Sequence, residues 1–265
     1  MVLRLWLTRR WLLATLIALL FALACFFLGR WQWSRYVEKR TKVTAIEAHY
    51  AAPPVPLEAA LSVPLTPERQ WSRVRITGAY AAGADLLARN RPLDNVLGYE
   101  VLTSLTTDSG HTLLVDRGWV QSGGTAATTP TVQAPPAGPV KVTGWLRSGE
   151  VSLGKEMPRG QLASINIADA RAQRPQVDPT DVYVVLQAQA PAPPRTSDSP
   201  LPLPRPEESL GPHQAYAFQW WLTMPGGLVF VGWAIRRELA ERDELTESGR
   251  PARPKKVRIW DEEDA

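Results

Sequence analysis

Nineteen consecutive uncharged residues, WLLATLIALLFALACFFLG at 11–29, constrain this chain more than any other feature. Arg9 and Arg10 stand before the run and Arg30 after it. At about 1.5 Å per helical residue it spans roughly 28 Å, close to the hydrocarbon thickness of a bilayer. A second uncharged run, 210–235, closes at Arg236 and Arg237 and is also long enough to cross. A buried core helix is the competing reading of each, but such helices seldom run 18 residues without a charge. The expected fold class is a membrane protein with two transmembrane α-helices flanking a mostly β (mixed α+β) extracytoplasmic domain.

This divides the chain into a cytoplasmic N-terminus (1–10), a first span (11–29), a β-rich outer domain (30–189), a Pro-rich linker (190–209), a second span (210–235) and a charged cytoplasmic tail (236–265). Lys and Arg collect on the cytoplasmic side of spans. Arg236, Arg237, Arg242, Arg250, Arg253, Lys255, Lys256 and Arg258 follow the second run, whereas residues 190–216 hold only Arg195 and Arg205. Both termini are therefore expected inside. A basic leader and ALAC before Cys25 also fit a cleaved signal or a lipoprotein signal. The apolar run continues through FFLG, which suits an anchor. Ten residues before the first span leave little room for a mitochondrial targeting helix, and Arg outnumbers Lys 24 to 6. A bacterial plasma membrane is the expected home.

The net charge of +4 does not imply nucleic acid, because between residues 41 and 209 there are 15 Lys+Arg against 16 Asp+Glu. The remaining basic residues flank the apolar runs or lie in the tail, which points to membrane lipid. The single cysteine, Cys25, lies inside the first run, so no intrachain disulfide can staple the outer domain.

Alternation in WSRVRIT, where Val74 and Ile76 interleave with Arg73 and Arg75, predicts a half-buried strand. YEVLTSL from Tyr99 and HTLLVDRGWV from His111 read as a hairpin joined through TTDSG. VKVTGWL from Val140 and DVYVVLQ from Asp181 supply two more strands, without a strong helix of the domain's own. The stretch 121–138 has too few large apolar residues to pack and reads as a solvent-exposed loop. Seven prolines in 190–207 make an extended, semi-rigid link.

No phosphate loop, paired-cysteine metal site or nucleophile elbow is present in the sequence. His111, Asp116 and Arg117 share a strand but lie too far apart along it for a triad. His213 is different, because on a helix it shares a stripe with Tyr216 and Trp220. An imidazole beside flat rings can ligate haem iron. The competing reading is ordinary enrichment of aromatic residues at a membrane interface. PGG at 225–227 is expected to kink or thin this helix, tolerable where a partner helix packs against it.

LGRWQWSRYVEK after the first run, GYEVLTSLTTDSGHTLLVDRGWV, VTGWLR and HQAYAFQWW together resemble the Surfeit locus protein 1 family of cytochrome c oxidase assembly factors. The resemblance implies an assembly factor rather than an enzyme, acting as haem a is installed in the oxidase. It implies a transient haem a site at His213, Tyr216 and Trp220, with His213 on the iron. The implied partners are the oxidase catalytic subunit and haem a synthase. Trp31, Gln32 and Arg35, and Arg117, Gly118 and Trp119, fall where family motifs place them and are candidate partner-binding residues. Trp31, Gln32 and Arg35 read equally as an interfacial anchor, and Gly118–Trp119 as a bulge with a core tryptophan. A permanent subunit of the respiratory complex and an outer-face enzyme are the alternatives from other classes.

Overall fold

A computed structural model describes residues 6–123 and 129–248. The basic residues Arg4, Arg250, Arg253, Lys255, Lys256 and Arg258, and the acidic end of the tail, lie outside the described residues. Two units emerge, one of residues 1–37 with 210–265 and one of residues 38–209.

In the helical unit, Leu, Ala and Phe dominate the first run, with no proline until Pro53 to stop a helix. Helix α1 covers Arg9–His49, so it continues 20 residues past the expected span. Its last turns, from Glu38, belong to the other unit, and Lys42 pairs with Glu38 at 2.7 Å. Only 17% of its most apolar stretch is buried, and it is the one described helix long and apolar enough to cross a membrane. A soluble core helix would be mostly covered.

The sheet domain begins with β1 (Val55–Pro56), α2 (Leu57–Leu61), β2 (Arg73–Tyr80), β3 (Leu86–Leu93) and β4 (Val96–Thr107). It continues with β5 (Thr112–Gln121), β6 (Pro139–Ser148), β7 (Gln161–Leu162), α3 (Ile167–Gln173) and β8 (Val182–Ala190). The order is β1-β2-β6-β8-β5-β4-β3-β7, and an added β2–β4 pairing closes five strands into a ring. Val74 and Ile76 point into its core, as the alternation requires, while Arg73 and Arg75 do not. Gly110, at φ +90°, turns the β4–β5 hairpin as expected. β5 is buried at nine of ten positions. One face lines the ring with Leu113 and Val115, while Leu114 joins a second core that includes Ile167 and Ala170 of α3. Such two-sided burial explains the near-continuous apolar run of TLLV. Asn166 caps α3, its side chain accepting from the Asp169 amide at 3.0 Å.

β3 is a strand the sequence reading does not reach. Asn90, at φ +57°, sits where its register shifts against β4, and Asp94 and Asn95 both take positive φ in the two-residue turn. The Pro-rich link, expected to be extended, turns at 196–199 and is fastened to the domain. Leu201 forms an antiparallel bridge with Trp119, at 2.8 and 2.7 Å, and the Gln133 amide donates to the Asp198 carbonyl at 2.9 Å.

The second apolar run completes the helical unit as α4 (His213–Thr223) and α5 (Gly226–Ser248). The interruption at Met224–Pro225 is where the sequence predicts a kink. Because of it, and of the charged residues from Arg236 on, neither helix alone has the length and composition of a span. The expected partner helix is the chain's own α1. A Cβ on Gly227 would lie 3.3 Å from that of Ala18, and Trp11, Ala18, Val231 and Ile235 form a buried cluster. Small residues of this kind let helices approach closely in lipid.

Candidate functional site

Histidine opens α4 because Pro212 cannot continue a hydrogen-bonded turn before it. The ring of His213 reaches α1, where Nδ1 lies 2.8 Å from Oε1 of Gln32. An amide oxygen only accepts, so Nδ1 carries the hydrogen and donates it, and Nε2 keeps its lone pair. His213 is partly exposed.

One turn on, Ala217 is fully buried, and Trp221 lies against Gly29 of α1. A Cβ on Gly29 would collide with the Trp221 indole, so this glycine admits the ring. Trp33 completes an aromatic cluster, with centroids 5.9 Å from Trp221 and 6.1 Å from Phe218. Phe218 and Trp221 in turn are 6.0 Å apart, edge to face. Trp33, Phe218 and Trp221 are absent from the sequence-based set. Spacing of i, i+4 and i+8 from His213 would have drawn attention to Ala217 and Trp221.

Tyr216 is 46% exposed and Trp220 half-buried. Of the first motif, Gln32 meets His213, whereas Trp31 is half-exposed and Arg35 exposed.

The structure places Arg117, Gly118 and Trp119 in the sheet domain, around a register shift between β4 and β5. Arg117 is buried, donating to the Gln133 carbonyl at 2.7 Å and lying 3.7 Å from the Asp85 carboxylate. Gly118 has φ +123°, and a Cβ there would collide with the Leu201 carbonyl. Only glycine therefore allows the link to lie against β5 at that point. Trp119 is 5% exposed and donates from Nε1 to the Arg91 carbonyl at 2.7 Å. All three are covered by their own domain.

Just before this shift, Asp116 is fully buried and accepts from the Gly118 amide at 3.0 Å. Burial, and then the nearby charge of Glu100, push its carboxyl well above the usual range. Burial also raises Glu100, against the pull of Arg91. Arg91 lies 3.2 Å from Glu100 by Nε, an ion-pair distance without hydrogen-bond alignment, and 2.5 Å from Glu150 by Nη2. At Glu150 burial is outweighed by the bond from Arg91 and the Ile165 amide, so that carboxylate lies below the usual range. Arg91, Glu100 and Glu150 are likewise absent from the sequence-based set. They are distant in sequence and no spacing rule joins them.

His111 pairs with Asp178 at 2.8 Å, a contact at the edge of the domain. Among the described residues no group of three or more His, Cys, Asp or Glu is placed to hold a metal ion.

A SURF1-like protein of Mycobacterium bovis is 30% identical over 258 residues, spanning 93% of this chain and 92% of its own. One from Mycobacterium tuberculosis H37Rv is equally similar. The cytochrome oxidase assembly protein SHY1 of Saccharomyces cerevisiae is 26% identical over 96 residues, which is 36% of this chain and 25% of the yeast protein. The sequence model of the SURF1 family matches residues 19–224, from within α1 through the end of α4, and the chain belongs to that family.

Proposed function

We propose that this protein is an assembly factor for cytochrome c oxidase, a haem-copper terminal oxidase, and assists insertion of haem a into its catalytic subunit or stabilises that subunit. Similarity to the yeast oxidase assembly protein supports the general role. The haem reading is carried by one observation, the His213–Gln32 hydrogen bond at 2.8 Å, which engages Nδ1 and leaves Nε2 as a ligand. Bound haem would supply a flat porphyrin and an iron that accepts a nitrogen ligand. His213 would hold the iron, with Tyr216 and Trp220 on the same flank offering ring surface. Gln32 would fix the imidazole tautomer.

The setting is a bacterial plasma membrane, crossed twice with both termini cytoplasmic. Exposed Leu222, Val229, Phe230 and Trp233 of α4 and α5 support a second crossing, because they need an apolar medium as the outward side chains of α1 do. Trp31 and Arg35, on the exposed side of α1, would face lipid headgroups or the catalytic subunit. A segment around Arg117, Gly118 and Trp119 would contribute to partner binding only indirectly, by holding the linker. Haem a synthase is the natural donor of the cargo.

The test is purification of the full chain in detergent from cells making haem a, beside His213→Ala at equal yield. The wild type should retain haem and the variant should lose most of it, with an unchanged circular dichroism spectrum. Equal haem and identical visible spectra in the two would overturn the ligand role. Unchanged haem a absorbance in membranes of a deletion strain would overturn the assembly role.

A further inference from the structure

The sheet domain contains a cavity of about 290 Å³, near the lower end of the small-molecule range. Its polar lining includes Arg91, Glu100, Asp116, Arg147 and Glu150. Its walls are rings and apolar side chains, with Leu203, Pro204 and Pro206 of the fastened linker at one side. Three of the stretches that carry the family likeness, GYEV, VDRGWV and VTGWLR, meet here although they lie on different strands.

Arg147 sets the chemistry. Its guanidinium lies over the Trp71 ring, 4.3 Å from the centroid. Trp71 is itself held 5.8 Å from Tyr50 and 6.4 Å from Trp145, and Tyr50 and Trp145 stack at 4.2 Å. The side chain is thus pre-oriented, yet among the described residues it has no hydrogen-bond acceptor, and its Nε is buried without one. Arg91, the other guanidinium, is engaged by Glu100 and Glu150. A stacked guanidinium with unused donors at a cavity wall matches the planar, two-oxygen edge of an oxyanion.

We infer that this cavity binds a small monoanionic carboxylate with an apolar body, its carboxylate held by Arg147 and its body against the aromatic and proline walls. A single negative charge fits better than a dianionic phosphate. Arg91 already faces both Glu100 and Glu150, burial pushes the Asp116 carboxyl up, and Arg147 is the guanidinium with unused donors, so the wall offers a single cationic edge. A neutral Asp116 would also donate rather than repel. The aromatic faces cannot take a free cation equally well, because Arg147 already covers Trp71 and Arg205 lies 5.1 Å over Tyr50. The inference does not depend on His213.

Isothermal titration of the full-length protein in detergent with benzoate, hexanoate and inorganic phosphate tests it. At least one carboxylate should bind saturably and more tightly than phosphate. Arg147→Gln should weaken that binding at least about tenfold, a loss of about 1.4 kcal/mol. Arg147→Lys, which keeps the charge but not the planar edge, should fall between, and it decides the matter should the glutamine variant fail to fold. Absence of saturable binding by both carboxylates overturns the inference. So does equal affinity in the wild type and the folded variants, or a preference for phosphate.

Discussion

In the sheet domain Leu102, Leu105, Leu113 and Leu114 are wholly removed from solvent, whereas Leu16, Ile17, Leu20 and Phe27 of α1 keep 52–66% of their surface. Similar side chains thus serve two solvents. Within the sheet domain each leucine gains on the order of 1.5–3 kcal/mol by leaving water for its own core. Along α1 the same gain requires a surrounding apolar phase, and the helix pair itself is held by small residues and rings. Charges divide in the same way. Arg237–Glu241 and Arg242–Glu238 are partly exposed i,i+4 pairs on α5, of little energetic weight. Asp116, Glu100, Glu150 and Arg91 are drawn into the sheet domain, where unmatched charge is expensive.

The sharpest way to break this contrast is to truncate one leucine on each side of it. Leu105→Ala should destabilise the sheet domain by about 2–5 kcal/mol, since it removes a fully buried side chain between β2, β4 and β5. Thermal unfolding of the purified protein, followed by near-ultraviolet circular dichroism, would show this as a clear drop in Tm.

A smaller effect sharpens the electrostatic half of the comparison. The folded-state pKa of Asp116 is raised, so the fold binds its proton more tightly than the unfolded chain does. Stability from this group is therefore complete at low pH, below the ordinary aspartate range. It falls as pH rises from that range toward the folded pKa, by at most about 1.4 kcal/mol per pH unit. Asp116→Asn mimics the neutral acid and should remove this fall. Denaturant titrations across the acidic to neutral range should show the variant gaining on the wild type as pH rises, and parallel curves would mean that Asp116 binds its proton equally in the folded and unfolded chain.

The smallest effect belongs to Leu20→Ala on α1, expected to shift the unfolding of the sheet domain by no more than about 0.5 kcal/mol. A loss comparable to that of Leu105→Ala would show that the outward side of α1 is packed against protein, and the comparison of two solvents would fail.

Local pattern carried a good deal of this architecture. The uncharged run at 11–29 specified an apolar helix, the kink at Pro225 follows from its missing N–H, and Val74 and Ile76 announced a strand by alternation alone. Glycine at 110 marked the β4–β5 turn for a similar reason, a backbone conformation few other residues accept. Strand β3 escaped because Asn90 and Pro92 interrupt its pattern, and only pairing with β4 tolerates the irregularity. Helix α1 outran its expected end because the polar residues after Gly29 are as able to form helix as the apolar ones, a matter on which hydropathy is silent.

His213 was legible as an isolated imidazole beside rings, but not its contact with Gln32, 181 residues away. Sequence by itself determined the periodicities, the breaks and the apolar helix, because these arise from each residue and its near neighbours. Tertiary structure alone decided that Gln32 fixes the His213 tautomer, that Leu201 lies where only Gly118 lets it, and that Arg147 is left without an acceptor beside Asp116. Those outcomes depend on closing the five-stranded ring and pairing the helices, events that bring together residues with no shared spacing in the chain.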